Sequence, residues 1–194
     1  MSQLRDLLVE EIQNLLHAER LLVTALPKMA AAANDQMLKE NFEVHLQQTE
    51  THVTRLEDVL AMLGTDAKTS PCKAMLGLVE EGEEKMSSGK QKEELRADLS
   101  LIILSQKIEH YEIAAYGNAK LLARQIGDLD VANVLCQILG EEQGADALLT
   151  MCAKPILQNA ALADLATSVR DLNEEVVLPL KKVKARGRTS EKQE

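Results

Sequence analysis

The sequence predicts one all-α domain built as a four-helix bundle. Aromatic residues make up only 2% of the 194-residue chain and Trp is absent, so aliphatic residues, Ala and Met must fill the core. Helices pack such residues well, whereas sheets favour β-branched and aromatic residues. Four long segments also carry apolar residues at alternating spacings of three and four, which is the pattern of a helix with one buried face.

Helices A and B form the first predicted hairpin. Helix A is expected over residues 3–33, where Pro27 should kink or interrupt it because proline removes a backbone hydrogen bond. Helix B is expected over residues 36–63. Asp35 should cap its start, and Gly64 should end it.

Helices C and D form the second predicted hairpin. Helix C is expected over residues 93–126, ending at Gly127, and helix D over residues 129–153, stopped by Pro155. A long connection that contains a short helix, at about residues 71–86, separates B from C. Because a connection of this length can cross from one end of a bundle to the other, B and C are expected to run parallel.

Charge and composition divide the chain into three regions. Residues 1–155 should form the bundle, residues 156–180 a C-terminal helical extension, and residues 181–194 a basic disordered tail. The tail holds six basic and two acidic residues, so it could bind an acidic partner. The net charge of −9 argues against nucleic-acid binding by the whole chain.

The sequence also indicates a cytoplasmic protein. Its first residues resemble an amphipathic helix rather than a signal peptide, and it has no apolar run of about 18 residues, so no membrane association is expected. The three cysteines form neither a metal-binding pair nor an even disulfide set, which fits free thiols in a reducing compartment.

Two apolar stripes are each interrupted by one carboxylate. Glu19 lies within the stripe of helix A, and Glu142 lies within that of helix D. A lone carboxylate on a buried face is costly unless it is paired or bound to a cation. Helix C adds Glu109 and Glu112, whose spacing of three places both on one face.

Helix B and the end of helix D supply further polar candidates. His45, Gln48 and His52 lie along the buried edge of helix B. If the A–B and C–D hairpins are treated as a repeat, Asp146 corresponds roughly to His52. Inward-facing carboxylates and imidazoles form sites for iron or manganese. The candidate metal ligands are Glu19, His45, Gln48, His52, Glu109, Glu112, Glu142 and Asp146.

A structural interpretation of the same residues stays open. Glu109, Glu112 and Glu141 could lie on a solvated face, and His45 or His52 could be a satisfied histidine in a helix interface. The chain contains no Glu-x-x-His motif, which counts against a di-metal site.

Five segments resemble a known family: ALPKMAAAA, HLQQTETHVTRLE, CKAMLGLVEEG, QKIEHYEIAAYG and LGEEQGADALLT. They are similar to the YciE/YciF-like group of ferritin-like, stress-associated bacterial proteins, over about residues 3–153. The resemblance implies a ferritin-like bundle, a tendency to dimerise and a link to general stress. By position, the acidic pattern of that group falls on Glu19, Glu109, Glu112, Glu142 and Asp146, and its helix-B histidine falls on His45. Gln48 stands where relatives usually have Glu, and Gln is a weaker, neutral ligand.

Two functional hypotheses follow from the sequence. The first is a ferritin-like stress-response protein whose carboxylate-rich site binds iron, as a di-iron pair or otherwise, or manganese, and reacts with peroxide or oxygen. The alternative is a non-catalytic helical stress protein that acts by self-association or by binding a partner. A homodimer is expected under either hypothesis, because a two-fold interface is the commonest way to cover apolar helix faces. No catalytic residue is assigned.

Overall fold

The fold is described here from a computed structural model, which covers the backbone of residues 3–89 and 94–186 and the side chains of residues 3–87 and 94–170. Within these ranges the chain forms five α-helices and no strand, as the predicted all-α class requires. The chain divides into two compact units, residues 1–154 and residues 155–194. The helices are α1 (Gln3–Ala32), α2 (Gln36–Met62), α3 (Lys73–Gly89), α4 (Glu94–Gln125) and α5 (Leu129–Arg186).

Helix α1 continues through Pro27 without the predicted interruption. Proline leaves the carbonyl of Val23 without its helical donor. Pro27 lies on the exposed side of the helix, where water can hydrate that carbonyl. The neighbouring Leu26 and Met29 are buried and hold this turn in place. A single missing bond on the solvent side therefore does not end the helix.

Helix α5 likewise passes the proline that was expected to stop it. It continues through Pro155 to Arg186, instead of ending near Ala153. The carbonyl that loses its donor belongs to Met151, which is 58% exposed and can be hydrated. The tail predicted to be disordered, 181–194, is helical as far as Arg186, and the rest of it lies outside the described residues.

Glycines end α2 and α4, as predicted. Gly64 has a φ of 65° and Gly127 a φ of 83°, so both adopt the left-handed conformation that favours glycine. Beyond Gly127, the backbone N–H of Asp128 donates to the carbonyl of Ala123 at 2.9 Å, and an equivalent bond closes α2. These bonds satisfy carbonyls that the helix itself leaves without donors.

Helices α2 and α4 run parallel, which confirms the predicted crossover. Near the start of α4, the Asp98 carboxylate accepts hydrogen bonds from the backbone N–H groups of Asn34 and Asp35, each at 2.8 Å. Asp98 follows these two residues by 64 and 63 positions in the sequence. Further along the bundle, His45 contacts Glu109 at 3.3 Å with the same sequence offset. A constant offset along two helices requires them to point in the same direction.

The crossover helix α3 lies against α1 and α4. Just before it, the backbone N–H of Ser70 donates to the carbonyl of Gln13 at 3.1 Å, and that of Cys72 donates to Nδ1 of His17 at 3.1 Å. Cys72, just before this helix, and Met75, in its first turn, are both buried. None of the helices, within the described residues, has the length and apolar character needed to cross a bilayer.

Replacing Gly127 by Ala should lower the free energy of unfolding by about 1–2 kcal/mol, because a Cβ is strained in the left-handed conformation. Gly117, inside α4, is the matched control: an added Cβ there meets nothing within 4 Å. Gly117→Ala should therefore raise the free energy of unfolding by roughly 0.5–1 kcal/mol. Urea denaturation measures both variants, and a stabilised Gly127→Ala protein would contradict the helix end described above.

Candidate metal centre

Four helices place buried titratable side chains at one level of the bundle. Each of these side chains continues the apolar stripe of its helix, and that periodicity turns it inward. Their exposed fractions run from 0% to 5%. The residues are Glu19 on α1, His45 and His52 on α2, Glu109 and Glu112 on α4, and Glu142 on α5.

The first group of possible metal donors contains four of these residues. His45, Glu109, Glu112 and Glu142 each offer one ligand atom within 4.8 Å of the others. The Nε2 atom of His45 lies 3.3 Å from Oε1 of Glu109 and 3.7 Å from Oε2 of Glu142. Three carboxylates and one imidazole thus converge on one point.

The second group shares one carboxylate with the first. Glu19, His52 and Glu142 offer ligand atoms that also lie within 4.8 Å of one another. The Nδ1 atom of His52 lies 3.0 Å from Oε1 of Glu142 and 3.4 Å from Oε1 of Glu19. The phenol of the fully buried Tyr116 donates a hydrogen bond to Oε1 of Glu19. Glu142 therefore lies between two adjacent groups of donors.

The centre concentrates unsatisfied polar atoms. Among the residues that the structure describes, every buried side-chain nitrogen or oxygen without a well-aligned hydrogen bond belongs to this cluster or to Thr49 beside it. Buried polar atoms are normally hydrogen-bonded, because leaving them unpaired costs free energy. The atoms are Oε2 of Glu19, Nε2 of His45, Oγ1 of Thr49, Nδ1 of His52, Oε2 of Glu109, and both carboxylate oxygens of Glu112 and Glu142.

Burial and mutual repulsion disfavour the charged carboxylates. Burial raises the pKa of Glu112 well above its usual value, and the nearby Glu19, Glu142 and Glu109 raise it further. The pKa of Glu109 is raised well above normal by burial and then by Glu142. Burial also raises the pKa of Glu19, although contact with His52 opposes it. The protein alone therefore lacks enough positive charge to neutralise this centre.

His52 is the main positive group available to the cluster. Burial alone would lower its pKa, but the adjacent carboxylates of Glu142 and Glu19 outweigh burial and raise the pKa to about 10. On the outer side of the ring, partial burial tends to raise the pKa of Glu141. His52 and Arg55 outweigh that effect and hold the pKa of Glu141 below its usual value.

The two groups contain six of the eight candidate residues, and Asp146 lies outside both. Gln48 lies behind His45, with its Oε1 atom 3.4 Å from Nδ1 of the imidazole. Asp146 is partly exposed and accepts a hydrogen bond from Gln106 at 3.3 Å. Glu19 and Glu142, which interrupt two separate apolar stripes, offer ligand atoms within 4.8 Å of one another.

Two buried residues at the centre, Thr49 and Tyr116, were not predicted from the sequence. Both are fully buried. Thr49 could have been found, because the buried positions of α2 advance by four and three from His45 through Thr49 to His52, a step pattern that omits Gln48. Tyr116 could have been found as the one aromatic residue on the same stripe as Glu109 and Glu112. The role of its hydroxyl depends on a contact with another helix.

The centre contains as many carboxylates and imidazoles as a usual helical di-metal site, but two of them come from different sequence positions. Helical di-metal proteins take a Glu from each of two helices and a Glu-x-x-His motif from each of the other two, which gives four carboxylates and two imidazoles. Here Thr49 and Ala145 occupy the positions where such motifs would have Glu and His. Glu109 lies about one helical turn before Glu112, and His45 lies about one helical turn before Thr49. With these two residues the centre still contains four carboxylates and two imidazoles.

Comparisons with known proteins agree with this fold. The model of a family described as a domain of unknown function, DUF892, matches residues 3–162. The Escherichia coli K12 protein YciF is 36% identical over 151 residues, which span 77% of this chain and 90% of YciF. The crystal structure of YciF, titled a stress protein, superposes with a TM-score of 0.77 at 33% identity, covering 81% of this chain and 99% of YciF.

Two further solved structures share the architecture. YcfI of Rhodopseudomonas palustris, titled a putative structural protein, has a TM-score of 0.73 at 31% identity and covers 77% of this chain and 94% of its own. A Bacillus anthracis structure titled as ferritin-like, diiron-carboxylate proteins has a TM-score of 0.62 at 20% identity, covering 79% and 99% of the two chains, and shows the fold alone. The protein is thus a ferritin-like helical bundle, and it belongs to the DUF892 family.

Proposed function

We propose that this protein binds two divalent metal ions, iron or manganese, between its four bundle helices and reacts with peroxide or oxygen during stress. The observation that carries the proposal is the set of buried, unsatisfied carboxylate and imidazole atoms that converge from all four helices. Imidazole and carboxylate together suit iron and manganese better than magnesium or calcium, which prefer oxygen donors alone.

The charges of the centre support two ions rather than one. Glu19, Glu109, Glu112 and Glu142 carry four negative charges when ionised, and two divalent cations neutralise them if both histidines are neutral. A single cation would leave two negative charges buried, and protons would have to cancel them. The position of Glu142 between both groups also allows one carboxylate to bind two adjacent ions.

The roles of the protein side chains follow from their positions. His45 and His52 each supply one nitrogen, Glu142 is shared, and Tyr116 holds Glu19 in place through its phenol. Bound iron or manganese would supply the redox chemistry toward peroxide or oxygen, and the surrounding apolar helices exclude bulk water. The link to stress comes from the relative YciF, whose structure is titled a stress protein.

A second candidate function, self-association without catalysis, has its own supporting observation. In the unit formed by residues 155–194, Leu162, Leu165 and Val169 are spaced by three and four residues. Their exposed fractions are 65%, 63% and 50%. Apolar residues at this spacing form the contact stripe of paired helices, so a second copy of this helix is the occupant we propose. This assembly is compatible with a metal centre in the other unit.

Metal binding should stabilise the fold. At 100- to 1,000-fold excess over the dissociation constant, manganese should raise the free energy of unfolding by about 3–4 kcal/mol relative to protein in chelator. Thermal melts with and without chelator measure the difference. Glu142→Gln should abolish it, because both donor groups lose their shared carboxylate. Glu43→Gln, on the exposed face of α2, is the control and should respond like wild type. Identical melts of the wild type in metal and chelator would refute the proposal.

The stability of the metal-free protein should fall as pH rises from 5 to 8. The pKa values of Glu19, Glu109 and Glu112 are higher in the folded state than the ordinary 4.5, so their contribution is full below about pH 4.5 and is lost as pH rises. Deprotonation also favours cation binding, so the melting-temperature increase caused by manganese should grow over the same range. Glu112→Gln should flatten the pH dependence of the metal-free protein. An unchanged slope in that variant would show that folding does not raise the pKa of Glu112.

The association hypothesis predicts a dimer that depends on the exposed stripe. Leu165→Asp should convert the dimer to a monomer, because it places a charge in the centre of the proposed helix pair. Leu121→Asp is the matched control: Leu121 is 60% exposed on α4, outside this stripe. Light scattering at micromolar concentration measures the mass of each protein. A monomeric wild type, or an unaffected Leu165→Asp dimer, would reject this interface.

A further inference from the structure

The two histidines of the centre present opposite ring nitrogens to it. His52 directs Nδ1 toward Glu142 and Glu19, whereas His45 directs Nε2 toward Glu109 and Glu142. In each ring the remaining nitrogen therefore points away from the centre. The residue that contacts this outer nitrogen decides which nitrogen carries the proton and which one is free to bind a cation.

Behind His52 stands a charged pair. The Nε2 atom of His52 lies 2.7 Å from Oε2 of Glu141, and the same oxygen accepts a hydrogen bond from Nη1 of Arg55 at 2.7 Å. The side chain of His52 is fully buried, while those of Glu141 and Arg55 are 32% and 31% exposed. A carboxylate in this position holds the proton on Nε2 and leaves Nδ1 as the nitrogen that faces the centre.

Behind His45 the support is weaker. Among the side chains that the structure describes, the outer Nδ1 atom of His45 contacts the neutral amide oxygen of Gln48, at 3.4 Å. A neutral acceptor at this distance orients the imidazole less strongly than an ionised carboxylate at 2.7 Å. The two donor groups are therefore supported unequally, although each contains one imidazole.

We propose that Glu141, held by Arg55, is a positioning residue that governs metal binding at the Glu19–His52–Glu142 group and not at the other group. Gln48 is its weaker counterpart behind His45. The inference rests on the proposed function, and it adds that the two metal positions are unequal and can be weakened one at a time. It also assigns a role to Gln48 other than that of a ligand.

Cobalt(II) titration of the metal-free, full-length protein tests the inference through visible absorption and calorimetry. The wild type should bind two equivalents. Glu141→Ala should weaken one binding step by about 10- to 100-fold and leave the other unchanged, because removal of such a supporting residue typically has this effect. Glu141→Gln should lie between them, since its amide oxygen still accepts the proton of Nε2. Glu50→Ala removes an exposed carboxylate from α2 and is the matched control.

Paired variants establish which position is affected. In a Glu109→Gln background, which weakens the His45 group, Glu141→Ala should weaken the remaining step. In a Glu19→Gln background, which weakens the His52 group, Glu141→Ala should have no further effect on the step that remains. Gln48→Ala should show the reverse pattern with a smaller change, below about 10-fold.

The outcomes separate this inference from the proposed function. If the wild type binds no cobalt, the proposed function fails. If the wild type binds two equivalents and Glu141→Ala binds both unchanged, only the inference is overturned. If Glu141→Ala weakens both steps equally, Glu141 supports the bundle in general, and its assignment to one position is wrong.

Discussion

The constraint on which this structure depends is the burial of four carboxylates at one level of a helical bundle. An apolar interior disfavours each charge, and the carboxylates repel one another as well. Tyr116 and His52 offset part of this cost around Glu19, but both oxygens of Glu112 and of Glu142 have no well-aligned hydrogen bond. Such a cluster is intelligible as a site for cations, and it would otherwise be a large defect in the core.

The architecture sets the level at which these groups meet. The crossover makes α2 and α4 parallel, and the Asp98 carboxylate fixes their relative register from one end. Helix α1 and the part of α5 within residues 129–154 are also parallel, because Arg5 contacts Asp128 at the same sequence offset that separates Glu19 from Glu142. Two parallel pairs in fixed register bring donors from four helices to one place. If the helices of either pair were shifted along each other by one turn, the donor atoms from the four helices would no longer meet at one level.

The sequence predicted the helices and the most unusual carboxylates, since both follow from periodicity. Glu19 and Glu142 stood out because they interrupt apolar stripes, and Gly64 and Gly127 marked helix ends. Gln48 was predicted as a ligand, but the three-and-four step of the buried positions of α2 runs from His45 through Thr49 to His52. The pairing of His52 with Glu141 could not be predicted, because it depends on how α2 and α5 are rotated about their axes. The continuation of α5 past Pro155 depends on solvent exposure, which the sequence pattern does not contain.

Anomalous diffraction from crystals grown with manganese tests the central claim most directly. Two peaks should lie between the four helices, about 3.5–4 Å apart, the separation typical of two-metal sites. One peak should lie beside Nε2 of His45 and the other beside Nδ1 of His52, the two nitrogens that face the carboxylates. Peaks confined to the protein surface, with the buried carboxylates hydrogen-bonded to one another instead, would contradict the account.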